Sequence, residues 1–334
     1  MTPDAVSISV RRIALTRTLL AGVGGIACIV FASYSPYFLS LDNLVNLLGD
    51  LALVGIVAVP ATFLIMSGHV DLSVGAASAF AGIVLAATAP GSGLVTAVLL
   101  AVGTGALVGL VNGLLVTVAG VNSVAATFAA MSLLRGLAYL VPTGLAISLS
   151  GFRLLGNARP FLGLTLPSLI FGAVAVLAAV LSRSAVGRRT RRIGRLPSAA
   201  RLDGHRERRW VIALFVASGL AAALAGLIRT SQLGTGLPTA AIGVEITVAT
   251  AVLLGGGRLV GGRGSVVGTL LGPVGDDCHR QRSLVDQRDG LCRAGSACCP
   301  AGRRVGHRSA PPARSCSAAG LSPDAPRFEL FGGS

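Results

Sequence analysis

Long apolar runs, separated by short polar or glycine-rich stretches, dominate the chain up to Gly272. A bilayer crossing takes about 20 mainly apolar residues. Runs that meet or approach that length lie near 18–36, 49–66, 73–89, 94–119, 122–141, 162–181, 210–228 and 242–255, and a ninth begins near Ser265. The third run is short and the eighth is glycine-rich. The expected fold class is all-α, a polytopic transmembrane helix bundle of about eight to nine spans.

Charge sharpens this picture. From Ser35 to Leu134 there is no Lys or Arg, and the acids are Asp42, Asp50 and Asp71 alone. Such a stretch cannot build a water-facing surface, but it can face lipid. Of the 334 residues only 12% are charged and 53% are apolar. Soluble domains carry about 25% charged residues. The formal charge of +15 does not indicate nucleic acid, because the basic residues cluster at membrane edges rather than over a soluble face. All 28 of them are Arg.

The arginines also set a topology, since basic residues accumulate on the cytoplasmic side. Arg11, Arg12 and Arg17 place residues 1–17 inside. Ten arginines against Asp203 and Glu207 place the loop 183–209 inside as well. Two inside points require an even number of crossings between them, and the apolar runs supply six. Arg258 and Arg263 then return to the inside after two more. No small-residue cleavage site follows the first apolar run, which is expected to stay as a membrane anchor.

The pattern changes at Pro273. Residues 273–334 hold nine Arg, six acids and five of the six Cys, with no sustained apolar run. The ninth span starts as Ser265–Gly272 and then meets Asp276, Asp277, His279, Arg280 and Arg282, each Asp or Arg costing roughly 2.5–3.5 kcal/mol at a span centre. Three readings are open: a disordered cytosolic tail, a metal-binding tail using Cys292, Cys298, Cys299 and His307, or a shift of reading frame. The metal reading lacks a paired C-x-x-C. Read one base later, codons for Gly275 to Asp286 can encode A-M-T-V-I-A-N-G-L-S-L, an apolar run where the topology needs one. We expect 18–272 to form the transmembrane domain and 273–334 to be a polar, frame-shifted and disordered tail.

Three stretches carry function. The first is Met66–Ser67–Gly68–His69–Val70–Asp71–Leu72–Ser73–Val74–Gly75; the second is Val111–Asn112–Gly113–Leu114–Leu115 with Thr127, Met131 and Leu134–Arg135–Gly136. The third runs from Gly243–Val244–Glu245–Ile246 to Gly255–Gly256 and on to Gly261–Gly262–Arg263–Gly264–Ser265. Asp71 and Ser73 open the third predicted helix, where a carboxylate suits free N–H groups and the positive dipole end. Asn112 lies inside a span and is expected to make an interhelical hydrogen bond. Arg135 is either functional within its span or extends toward the outer surface. Glu245 stands near the start of the eighth helix, where the dipole eases its charge. The glycines around 255–264 are no phosphate loop, which needs a Lys that this chain lacks.

In order and content these stretches resemble the sugar-type permease family of ABC importers, the group of ribose and xylose permeases related to branched-chain amino-acid permeases. The likeness covers about residues 15–272. It implies a permease that acts as a dimer of two permease copies, passes a monosaccharide or other small polar solute, and has no covalent chemistry and no cofactor. It also implies a separate ATPase subunit and an extracytoplasmic solute-binding protein as partners. The last spans of the family are missing from this reading frame. The family's ATPase-docking motif, G-x-N-x-x-A-A-R-x-x-G-I, is matched here at Ala199, Ala200, Arg201 and Gly204, but Leu196, Ser198 and His205 depart from it. Alternatives are a branched-chain amino-acid permease, a secondary transporter or channel, and an inactive truncated permease.

Overall fold

The structure, a computed structural model, describes residues 40–149, 151–160, 163–195, 205–257, 261–262 and 269. All of these fall in one contact unit, 1–282. The first apolar run, the ninth span, the matched positions 199–204 and the tail lie outside the described residues.

Among the described residues there are nine helices: α1 Leu41–Met66, α2 Val74–Ser92, α3 Leu94–Thr117, α4 Ser123–Leu140, α5 Leu154–Asn157, α6 Leu166–Arg183, α7 Ala185–Arg195, α8 His205–Leu233 and α9 Val244–Leu254. Two short strands, β1 Ile147–Ser148 and β2 Thr235–Gly236, pair antiparallel with Ile147 opposite Gly236. The pairing ties the segment after α4 to the end of α8.

Six of the described helices (α1, α2, α3, α4, α6 and α8) are long and apolar enough to cross a membrane. They coincide with the second to seventh apolar runs of the sequence. The eighth run forms α9, with 11 residues. At 1.5 Å per residue it reaches about 16 Å, half of the roughly 30 Å hydrocarbon layer. It is entered through Gly243 at φ +84°.

Helix α8 is the axis of the bundle. It contributes Ala222 and Ala225 to one apolar cluster with α1, α2 and α9, Leu214 and Phe215 to a second with α1, α6 and α7, and Ala223 and Leu227 to a third with α2 and α3. Its most extensive pairing is with α3. Small residues make that approach close: a side chain at Gly105 would run into the Gly219 carbonyl, and one at Gly109 into the Phe215 carbonyl. Gly113 continues the same stripe against Ile212. This i, i+4, i+8 spacing keeps the glycines on one helix face. A side chain at Gly103, two residues before Gly105, would meet nothing, so that glycine lies off the contact. By contrast α3, α4 and α6 turn most of their apolar surface outward, for example Leu99, Leu107, Phe128 and Leu177, as helices bathed by lipid do.

Candidate functional site

The polypeptide between α1 and α2 is where backbone order is lost inside an apolar bundle. Helix α1 ends at Met66, and Gly68 just beyond it takes φ +88°. The Gly68 N–H donates to Ile65 O at 3.0 Å and the His69 N–H to Leu64 O at 3.1 Å. This is the glycine-dependent helix stop that satisfies the last carbonyls. Residues 69–73 then run without helical hydrogen bonds, and free N–H groups in such surroundings cost several kcal/mol each. Helix α4 supplies acceptors for two of them. Ser123 Oγ receives the Val70 N–H at 3.3 Å, and Thr127 Oγ1 receives the Leu72 N–H at 3.1 Å.

Asp71 closes the segment. Its Oδ1 accepts from the Ser73 N–H at 2.9 Å and the Ser73 hydroxyl at 2.6 Å, and its Oδ2 accepts from the Ser218 hydroxyl at 2.8 Å. Asn112 Nδ2 donates to Ser73 Oγ at 2.9 Å. Asp71, Ser73, Asn112, Thr127 and Ser218 are all buried. The node thus joins α3, α4 and α8 to the start of α2. Ser73 holds the N-cap position of α2, yet its own side chain caps no α2 N–H. The carboxylate instead fixes the Ser73 backbone, one step before the helix.

A second polar pair lies along the same end of α2. The Glu245 carboxylate occupies the space a side chain at Gly75 would fill, and the Ala241 carbonyl crowds the same point. Glu245 Oε1 accepts weakly from the Gly243 N–H at 3.3 Å. Asn112 Oδ1 and Glu245 Oε2, like Glu207 Oε2 at the arginine-rich end, are buried acceptors with no donor among the described residues. Arg135 turns neither to lipid nor to an acid: its Nη1 donates to the carbonyls of Pro238 and Ala240, each at 3.0 Å. It braces the loop that carries α9.

The arginine-rich end of the bundle reaches the break directly. Helix α7 packs on the end of α1, because Gly194 leaves no room for a side chain beside the Met66 carbonyl. The same carbonyl accepts the Gly262 N–H at 2.9 Å, and Arg195 Nε donates to Gly262 O at 3.0 Å. Glu207, buried at the start of α8, pairs with Arg192 at 3.0 Å and Arg189 at 3.7 Å. Arg189 also lies 4.8 Å over the Trp210 ring, whose Nε1 donates to Thr190 Oγ1 at 3.1 Å. The basic helix is therefore fastened to both α1 and α8.

The structure brings Asp71, Ser73 and Asn112 into one network, sets Thr127 on the adjoining Leu72 N–H and Glu245 against Gly75, and places Arg135 on the loop before α9. Ala199, Ala200, Arg201 and Gly204 lie outside the described residues. Sequence reading missed Ser218, Ser123 and the Glu207–Trp210 clasp. A serine within the otherwise apolar Val211–Leu227 run was the available signal for Ser218. Among the described residues no cluster of His, Cys, Asp and Glu could hold a metal.

Comparison with known proteins agrees with this architecture. Residues 43–274 match the profile of a family described as branched-chain amino acid transport system, permease component. The chain is 37% identical over 258 residues to the ribose import permease protein RbsC of Bacillus subtilis (strain 168), covering 74% of this chain and 78% of that protein. It is 35% identical to RbsC of Escherichia coli (strain K12), with 73% and 78% covered. It is 36% identical to the L-arabinose ABC transporter permease protein AraH of Azospirillum brasilense, with 75% and 76% covered. No solved structure matches. With most of the chain and a helical membrane bundle held in common, this protein belongs to that family of ABC-type transport permeases.

Proposed function

We propose that the chain is the membrane subunit of an ATP-driven importer for a small polar solute, a monosaccharide. Its solute class rests on the ribose and arabinose names of its relatives. The observation that carries the mechanism is the packing of the basic helix α7 against the Met66 carbonyl, where α1 ends just before the broken segment 67–73. Force applied by an ATPase at the loop 183–209 would reach the buried Asp71–Ser73–Asn112–Ser218 node through Gly194, Arg195 and Met66, without a flexible linker. A node held by side-chain hydrogen bonds can exchange partners at less cost than a helix can bend.

The partners in this reading are a separate ATPase chain, an extracytoplasmic solute-binding protein and a second permease copy. The outward apolar faces of α3 and α4 offer a surface for that copy. The N-terminus and the loop 183–209 face the cytoplasm, following the arginine distribution. We read the segment 273–334 as a frame-shifted product, a reading that the end of the family match at 274 supports. Sequencing the DNA around codon 273, with mass spectrometry of the C-terminal peptide, decides this. An intact frame with the polar tail present overturns it.

The transport reading is tested by reconstituting the chain in liposomes with a separate ABC ATPase and an extracytoplasmic solute-binding protein. ATP-dependent uptake of ribose or arabinose is the expected result. Uptake driven by an ion gradient without ATP would instead identify a secondary transporter.

A further inference from the structure

Helices α1, α6 and α8 leave a groove of about 310 Å³ between them, open at the bundle surface. Its walls are apolar throughout, with Pro60 and Phe63 from α1, Leu177 and Leu181 from α6, and Leu220 from α8. At one end the lining passes into the basic helix: Val186 of α7 also faces the groove. Near that end two guanidinium groups meet the last turn of α6, a turn that itself contains Arg183. Arg183 terminates the helix, Arg188 Nη1 donates to the Arg183 carbonyl at 3.1 Å, and Arg191 Nη2 donates to the Ser182 carbonyl at 2.7 Å. The negative end of the α6 dipole accounts for part of this gathering. It does not balance three full charges. Partial burial, with Arg195 and Arg188 nearby, lowers the pKa of Arg191 below its ordinary value. Among the described residues the acid of this region is Glu207, whose Oε1 pairs with Arg189 and Arg192 and whose Oε2 is buried without a hydrogen-bond partner. Among the described residues no acid pairs with Arg183, Arg188 or Arg191.

We propose that this groove is a binding site for an anionic phospholipid, its acyl chain lying between α1, α6 and α8 and its phosphate held by Arg183, Arg188 and Arg191. The charge pattern selects this occupant. A wholly apolar trough ending in uncompensated cations complements a molecule that is hydrocarbon along most of its length and anionic at one end. Basic pockets between spans at the cytoplasmic boundary are suited to such headgroups. A second protein span would fill the trough but leave the cations unmatched. A free phosphate would satisfy the cations but leave the trough empty.

The test uses the purified full chain in detergent micelles. A phosphatidylglycerol carrying a photoreactive group on its acyl chain is expected to label peptides from 174–186 and 214–224. Unlabelled phosphatidylglycerol should compete at least tenfold better than phosphatidylethanolamine or glycerol 3-phosphate. The triple variant Arg183→Gln/Arg188→Gln/Arg191→Gln should lose that tenfold preference, while Ala221→Trp should abolish labelling with the arginines intact. Native mass spectrometry of the unaltered chain gives a readout independent of either variant: phosphatidylglycerol adducts survive activation that strips phosphatidylethanolamine. Equal competition by the two lipids, competition by glycerol 3-phosphate alone, or cross-linking of a Leu220→Cys variant to residues 18–36 in place of lipid would each overturn the proposal.

Discussion

Asp71 is the residue on which the polar node turns. Its two oxygens serve three donors, two from Ser73 and one from Ser218. Replacing it by Ala strands these groups in a dry interior, where each unsatisfied donor costs about 1–3 kcal/mol. Asp71→Asn keeps an acceptor for Ser73 and offers the amide to Ser218 as donor, so it should cost less than half as much. Thermal unfolding in detergent measures both, and equal loss for the two variants would show that packing rather than hydrogen bonding sets the cost. Arg135 works differently, since its two bonds to Pro238 and Ala240 hold a loop and not the bundle. Charge-assisted bonds are worth about 1.5–3 kcal/mol. Arg135→Leu should therefore speed hydrogen exchange in 237–246 by at least tenfold while leaving α3 and α8 as slow as before. Faster exchange throughout the bundle would contradict this local role.

Among the elements, the α3–α8 contact is the most sensitive to size. Gly109 touches the Phe215 backbone, and Gly103 touches nothing, although they lie on one helix six residues apart. Gly109→Leu must push two backbones apart, with an overpacking cost of about 1–3 kcal/mol or more. Gly103→Leu projects into open space and should be neutral within experimental error. Thermal midpoints of the two variants in detergent give the comparison, and similar losses would contradict the packing shown. The same logic explains the break at 67–73. No continuous helix through this region could present both the Asp71 carboxylate to α8 and the Val70 and Leu72 N–H groups to α4.

For the molecule as a whole, the decisive quantity is which end of the bundle faces the cytoplasm. The described residues of the loop 183–209 carry nine arginines against Glu207. A single Cys placed at Arg192 should react with a membrane-impermeant maleimide only in inside-out vesicles. Reaction in right-side-out vesicles would reverse the topology and with it the docking of an ATPase at α7. The groove beside α6 belongs to the same scale, because its cations sit at the same boundary.

The number of apolar runs, their lengths and the asymmetry of arginine are properties of composition along a line. They determined that this chain is a membrane helix bundle, and the ordered motifs around Asp71, Asn112 and Glu245 carried the permease family. Six of those runs, the second to the seventh, are the six long helices among the described residues, because in lipid a backbone must satisfy its hydrogen bonds within each segment and length selects the spans. Tertiary structure decided what local sequence could not carry. It showed which glycines of α3 meet α8, that Ser218 answers Asp71 across 147 residues, that Arg135 binds carbonyls, and that α9 is half a span. Each of these depends on the rotation and depth of one helix against another. In lipid those are set by side-chain fit and by hydrogen bonds between distant segments, for which hydropathy holds no record.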